Sequence, residues 1–225
     1  MDSSAISTKS QQQAFLKLLK EMISVFWGPD PEKCTALLKT SVFDPFDKIN
    51  ALSGFQISKA LTEIKSILKK ISNADALYLH LEEAYVRLFI SDRKGVTAPL
   101  YASCYANITS GEKQLLMGAP AIDMKNRFET KSLFLSNEIH EPPDHLSIEL
   151  EYLYFLLAKG WSDDDDDLIN EAATFASDIM LPWVSEFQAK LAVEKKCRFY
   201  PLMASILRAI LEIIAGFSHN FEDGE

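Results

Sequence analysis

The sequence predicts an all-α protein with a single globular helical domain of about nine helices. The chain has 225 residues, of which 48% are hydrophobic, enough to build one well-formed core. Only 8 glycines and 9 prolines are present, too few for the frequent turns of an all-β fold. Apolar residues recur at helical spacing along most of the chain, and no segment shows sustained strand alternation.

In the first half of the chain, apolar residues recur every three or four positions, which places them on one face of a helix. Gly28 and Pro29 end the first helix, and Asp30 caps the next one, which begins at Pro31. The pattern predicts helices at residues 15–26, 31–39, 55–71 and from 73 to about 88, with residues 44–53 as a connector.

In the second half, residues 91–110 lack helical periodicity and are predicted to form an ordered loop. Helical spacing resumes after the double proline at 142–143, and Gly160 is expected to end that helix as a C-cap. The aspartates at 163–167 suit the positive end of the next helix, which Pro182 is expected to break. The predicted helices cover residues 120–131, 146–160, 162–180, 183–194 and 199–217.

We expect a flexible N-terminus at residues 1–12, one helical domain at 13–217 and a flexible tail at 218–225. The longest uninterrupted apolar run, residues 152–158, is far shorter than the roughly 20 residues that span a bilayer. The N-terminal segment has no apolar signal region, and three separated cysteines cannot form a complete disulfide framework. The chain is therefore predicted to be a soluble cytoplasmic protein and not an integral membrane protein.

The composition is acidic, with 23 basic side chains against 32 acidic ones and a net charge of −9. Nucleic-acid binding is disfavoured because gripping a phosphate backbone requires a basic face, and the chain has no lysine- or arginine-rich stripe. An acidic surface instead favours basic partners, including peptides that carry arginine.

No motif of a catalytic or cofactor-binding site is complete in the chain. The sequence contains no GxGxxG, GxxxxGK[ST] or GxSxG segment. His140, Glu141, Asp144 and His145 resemble a zinc-protease motif, but the two histidines are five positions apart and two prolines lie between them. We therefore predict a binding protein without metal or cofactor, not an enzyme. A metal-dependent helical hydrolase that uses these four residues is the alternative from another class.

The same cluster matches a different pattern. Glu141-Pro142-Pro143-Asp144-His145 resembles the E-x-P-D-H signature of the TorD/DmsD-like family of redox-enzyme maturation chaperones. Residues 85–89 resemble the family's aromatic-x-R-L-F segment, and residues 99–105 resemble its P-x-aromatic-x-S-x-aromatic loop. Leu181-Pro182-Trp183 and Phe199-Tyr200 resemble later elements of the family. These pieces follow the family order from about residue 15 to 217, although Ser91 replaces a glycine that the family often has.

The resemblance implies a cytoplasmic chaperone without catalytic activity. Such chaperones bind the twin-arginine signal peptide of a molybdenum-cofactor oxidoreductase, or its apoprotein, assist cofactor insertion and delay export until maturation. The implied partner is the catalytic subunit of a molybdoenzyme. A chaperone for a non-exported, nitrate-reductase-like molybdoenzyme is the alternative within the same class. The oligomeric state stays open between a monomer and a domain-swapped dimer with its hinge at residues 91–111 or 138–143.

The resemblance also implies candidate peptide-binding residues. Glu141 and Asp144 are expected to meet the arginines, while His145 orients the loop or hydrogen-bonds to the peptide. Asp144 also suits the cap of the helix that starts at Leu146. The walls of an apolar groove are expected from Leu88, Phe89, Pro99 and Tyr101, of which the first two equally suit a place in the core. The full candidate set is Tyr85, Arg87, Leu88, Phe89, Pro99, Tyr101, Glu141, Pro142, Asp144 and His145.

Overall fold

The computed structural model describes residues 6–53, 57–91, 95–106 and 117–217, and within these ranges the protein is helical without β-strands. A π-helical turn at Phe175–Met180 joins the eighth and ninth α-helical segments into one continuous helix, so the ten segments form nine separate helices there. The predicted fold class is therefore confirmed. The segments are α1 (Lys9–Phe26), α2 (Pro31–Leu37), α3 (Asp44–Ser53), α4 (Ile57–Leu68), α5 (Ala74–Tyr85), α6 (Ala119–Thr130), α7 (Leu146–Asp163), α8 (Asp166–Thr174), α9 (Leu181–Leu191) and α10 (Phe199–Ala215).

The core is organised around α7 and α10. Helix α1 packs along α7, and α10 packs against α4 and α9. Helix α10 is apolar on nearly every side, as expected for a helix surrounded by others, whereas α1 buries the single stripe that its spacing predicts. The buried residues of that stripe include Phe15, Leu18, Leu19, Met22 and Phe26. No helix in the described ranges is both long enough and apolar enough to cross a membrane.

Helix α3 occupies residues 44–53, so the predicted connector is wrong. Phe46 and Ile49 lie three positions apart on one face and are both buried, and α3 packs against α1 and α4. Pro45 lies in the first turn, where a missing backbone N–H costs no helical hydrogen bond. The apolar pattern is too short to predict this helix, which tertiary packing stabilises.

The predicted C-cap at Gly160 is also wrong. Helix α7 continues to Asp163 and ends where Asp164 adopts a left-handed conformation with φ of 52°. Gly160 instead permits close packing of α8, because a Cβ atom there would lie 2.6 Å from Ile169 Cδ1. The aspartate run does start a helix as predicted, since the Asp165 carboxylate accepts a hydrogen bond from the Leu168 N–H at the start of α8.

Pro182 does not break the helix in which it lies. The preceding π-helical turn lets the Leu181 N–H donate to the Ala176 carbonyl, and Pro182 then lies in the first turn of α9. At the other end of the chain, α1 begins at Lys9, capped by Thr8, within the segment 1–12 that the sequence predicts to be flexible. The expected tail at 218–225 lies outside the described residues.

Candidate functional site

Two segments distant in sequence pair at the N-terminal end of α7. The Leu146 N–H donates to the Leu100 carbonyl at 2.8 Å, and the Ala102 N–H donates to the Asp144 carbonyl at 3.0 Å. These bonds form an isolated antiparallel bridge between Tyr101 and His145. The described part of the predicted loop, with a single 3-10 turn at Ala102–Cys104, is therefore held against the E-x-P-D-H segment. The fold brings together two of the motifs that carry the family resemblance.

Asp144 points into the protein. Its side chain is fully buried, and its Oδ2 accepts a hydrogen bond from the Ser103 N–H at 2.8 Å. The predicted capping role belongs to His145, whose Nδ1 accepts from the Ser147 N–H at 3.2 Å. Asp144 therefore supports the 98–105 loop instead of capping α7. A direct contact between its carboxylate and an arginine stays a prediction, and it would require this loop to move.

The His145 ring packs against two aromatic rings. The Trp27 ring stacks on the His145 ring with centroids 4.8 Å apart, and the Tyr101 ring meets it edge-on at 5.3 Å. Burial lowers the pKa of His145 to about 4, although the nearby Glu141 and Asp144 charges oppose the shift. The imidazole is therefore neutral at physiological pH and acts as a packing and capping group.

Two carboxylates flank these rings at the surface. The Tyr101 hydroxyl donates to Glu141 Oε2 at 2.6 Å, and the Trp27 indole N–H donates to Glu151 Oε1 at 2.9 Å. Burial is the main cause that raises the pKa of Tyr101, and the hydrogen bond to Glu141 raises it further. The phenol therefore keeps its proton. All these groups except His145 are partly exposed. We call the set formed by Trp27, Tyr101, Glu141, His145 and Glu151 the acidic-aromatic patch.

The other candidate residues lie beside or behind this patch. The Tyr85 hydroxyl donates to the Phe26 carbonyl at 3.1 Å, while Leu88 and Phe89 are buried in the core. Arg87 is directed to Glu194, with which it forms a largely buried ion pair. Direct contacts of these four residues with a peptide stay predictions. The same holds for Pro99 and Pro142. Pro99 and Pro142 are half-buried, and their carbonyls accept from the Tyr105 hydroxyl and the His145 N–H.

A second buried acid lies near Asp144. Glu149 is fully buried, and its Oε2 accepts from the Trp183 indole N–H at 3.0 Å, while its Oε1 has no partner among the described residues. Burial raises the pKa of Glu149 well above its ordinary value, and the negative charge of Asp144 raises it further. The sequence analysis did not identify Glu149, Trp27 or Glu151. The only signal for Trp27 was its place beside the helix-ending Gly28.

The alternative metal site lacks a suitable geometry. His140 is exposed, whereas Asp144 and His145 are buried and already hydrogen-bonded to backbone N–H groups. Over the described ranges, no three His, Cys, Asp or Glu side chains are placed to hold one metal ion. Asp144 therefore supports the loop and His145 caps the helix.

Comparisons with known proteins agree with the family resemblance of the sequence. The chain is 23% identical to Chaperone protein TorD of Photobacterium profundum, across 91% of this chain and 97% of that protein. It is 34% identical to Chaperone protein TorD of a Psychrobacter species, across 49% of this chain and 50% of that protein. A crystal structure from Archaeoglobus fulgidus, assigned to a redox enzyme maturation protein, superposes with a TM-score of 0.52 at 25% identity and covers 91% of this chain and 95% of its own.

The match to a family model shows which family the chain belongs to. The model described as nitrate reductase delta subunit matches residues 56–189, more than half of the chain. The relatives are named as chaperones and not as enzymes, which confirms the predicted class of protein. The chain therefore belongs to the nitrate reductase delta subunit family of redox-enzyme maturation chaperones.

Proposed function

We propose that the protein is a cytoplasmic chaperone that binds the twin-arginine signal peptide of a molybdenum-cofactor oxidoreductase at the acidic-aromatic patch. In this role it holds the apoprotein while the cofactor is inserted, and it delays export until the client is mature. Family membership and the TorD relatives support a chaperone. The patch supports a basic peptide as its ligand.

The observation that carries the proposal is the pair of partly exposed carboxylates, Glu141 and Glu151. Each accepts a hydrogen bond from a neutral donor, and neither forms an ion pair within the described part of the chain. Two negative charges therefore stay available for cations of a ligand. A guanidinium group suits this surface because carboxylates accept it in bidentate geometry and aromatic rings stack on its plane.

In this proposal the patch residues have separate roles. Glu141 pairs with an arginine of the peptide, and Tyr101 both orients that carboxylate and offers its ring as a wall. Trp27 adds a second ring next to Glu151. Asp144 and His145 position the loop and the helix end from within, so they act on binding through Tyr101.

Calorimetric titration with a synthetic signal peptide tests the proposal. The peptide carries two adjacent arginines followed by an apolar segment, and we expect it to bind the wild-type chain. Glu141→Gln should weaken binding about tenfold, because a charge-assisted hydrogen bond contributes roughly 1.5 kcal/mol. Glu141 is a sharper choice than Asp144, since the buried Asp144 carboxylate supports the fold.

The matched control is Glu212→Gln. Glu212 is exposed on α10 and pairs with Arg208, so its replacement removes the same charge at a site away from the patch. Equal weakening by both variants would mean that only overall charge matters, and the patch assignment would be wrong. Circular dichroism of each variant confirms that the helices are intact.

A chaperone for a non-exported molybdoenzyme is the second candidate, favoured by the description of the matching family model as nitrate reductase delta subunit. Replacing both peptide arginines by lysine separates the two candidates. The signal-peptide proposal predicts a clear loss of affinity, because lysine cannot form the bidentate contact. A client terminus without paired arginines that binds as tightly as the signal peptide would support the second candidate.

A further inference from the structure

A cavity of about 390 Å³ lies between α1, α2 and the start of α10. This volume is in the range of small-ligand pockets. Val25, Leu37 and Val42 form its partly exposed apolar walls, and the buried Phe199 and Tyr200 side chains form its floor. The exposed residues Glu32 and Ala36 of α2 mark its opening to solvent.

Glu21 provides an unusual polar group in this apolar surrounding. Its side chain is half-buried in the cavity wall, and no hydrogen bond or ion pair of its carboxylate occurs among the described residues. Desolvation raises the pKa of Glu21, so its charged form lacks the compensation that protein partners normally supply. A cation placed in the cavity would supply that compensation.

The charges around the cavity favour a cationic ligand. Lys33 is the only basic residue that lines it within the described ranges, and its ammonium group is already engaged by Asp30 at 3.3 Å and by the Gly28 carbonyl at 2.9 Å. Glu21 and Glu32 therefore dominate the local potential. Phosphate-bearing ligands such as nucleotides are disfavoured here, whereas an aliphatic chain that ends in a cation matches both the walls and the charge.

The cavity adjoins the acidic-aromatic patch through two consecutive residues. Trp27 stacks on His145 in the patch, and the next residue, Gly28, lines the cavity. Gly28 has φ of 100°, and a Cβ atom there would lie 3.2 Å from Tyr85 Cζ. Gly28 is therefore packed against the Tyr85 ring, and the patch and the cavity are neighbours at the end of α1, joined by the Trp27-Gly28 backbone.

We propose that this cavity is a second subsite for the client peptide, which takes one basic side chain whose aliphatic stem lies on Val25 and Leu37 and whose cation pairs with Glu21. The inference rests on the proposed function, because the same peptide occupies the acidic-aromatic patch. On this inference, the chaperone also recognises a second basic residue of the client peptide, in addition to the arginine that pairs with Glu141.

The first test uses n-butylguanidinium chloride, which has the stem and cation of an arginine side chain. Added to ¹⁵N-labelled protein, it should shift backbone amide signals mainly in α1 and α2 around the cavity. Glu21→Gln, which keeps the side-chain size, should remove most of these shifts, and Glu212→Gln should leave them unchanged. Shifts that persist in the Glu21→Gln variant would overturn the inference.

The second test titrates the signal peptide described above, extended by one additional basic residue, into the same variants. Glu21→Gln should weaken binding about fivefold, as expected for a half-exposed ion pair. Combination with Glu141→Gln should multiply the two effects, since the residues contact different parts of the peptide. If Glu21→Gln binds the peptide normally and Glu141→Gln binds it more weakly, the subsite is excluded and the proposed function stands. No binding by the wild-type chain overturns both.

Discussion

Glu149 makes the stability of this protein depend on pH in a direction that can be calculated. Its carboxyl group is fully buried, accepts one hydrogen bond from Trp183 and forms no ion pair among the described residues. The folded protein therefore retains the proton at pH values where the unfolded chain has released it. Between the ordinary pKa of 4.5 and the raised pKa, the free energy of unfolding contributed by this group falls as pH rises.

The perturbation is Glu149→Gln, which is neutral at every pH and keeps an oxygen to accept from Trp183. One extra proton bound by the folded state makes the free energy of unfolding fall with pH, with a slope of about 1.4 kcal/mol per pH unit. The variant lacks this slope. The difference in free energy of unfolding, variant minus wild type, should therefore increase by about 1.4 kcal/mol per pH unit above the ordinary pKa of 4.5, for as long as the folded wild type keeps its proton. Other titrating groups occur in both proteins and cancel.

Urea denaturation followed by circular dichroism, at half-unit pH steps upward from about 5, measures this difference, because the stability linked to this proton changes above the ordinary pKa of 4.5. Glu212→Gln serves as the control, because it removes a carboxylate that is exposed and should give a difference nearly independent of pH. A Glu149→Gln difference that stays constant within about 0.3 kcal/mol across these pH steps would contradict the raised pKa of Glu149. In that case Glu149 would be ionised in the folded state and would have a partner.

Two further predictions concern Gly28, beside the patch, and His145, within it. Gly28→Ala should destabilise the fold by about 1–2 kcal/mol, measured by urea denaturation, because φ of 100° and the Tyr85 ring both oppose a Cβ atom. The His145 ring should titrate with a midpoint near pH 4 in a proton NMR titration. Because the unfolded chain takes up this proton first, acidification from pH 6.5 towards 4 should reduce the stability that His145 contributes.

Each prediction has a contradicting result. An unchanged denaturation midpoint in Gly28→Ala would show that the turn relaxes without cost. A His145 midpoint near the ordinary value of 6.5 would show that the ring is solvated and that its stacking between Trp27 and Tyr101 is not maintained in solution.

The helices were predictable where a long apolar stripe faces the core. Helices α1, α4 and α7 each carry such a stripe over several turns, and the structure buries it. Helix α10 was predictable because it is apolar on nearly every side. Helix α3 was not predictable in this way, because Phe46 and Ile49 alone do not establish a period. Gly160 illustrates the converse error, since a glycine near a helix end suggests a cap, whereas contact with Ile169 explains it.

The candidate site was predictable as a pair of motifs but not as a geometry. The sequence indicated the residues near Tyr101 and Glu141, and the fold brings them within one hydrogen bond. It could not indicate that Asp144 points inward, because aspartate before a helix suits capping equally well. Trp27 could not be predicted as a site residue, because it stacks on His145, which lies 118 positions later in the sequence.

The all-α fold class, the main helices, the acidic character and the chaperone family can all be inferred before the chain folds. These features depend on local periodicity, on composition and on short motifs. The folded structure is needed to learn which carboxylates face solvent, which are buried and where the cavity beside Glu21 lies. The burial and pKa of a carboxyl group depend on neighbours supplied by distant helices, and local sequence does not encode their approach.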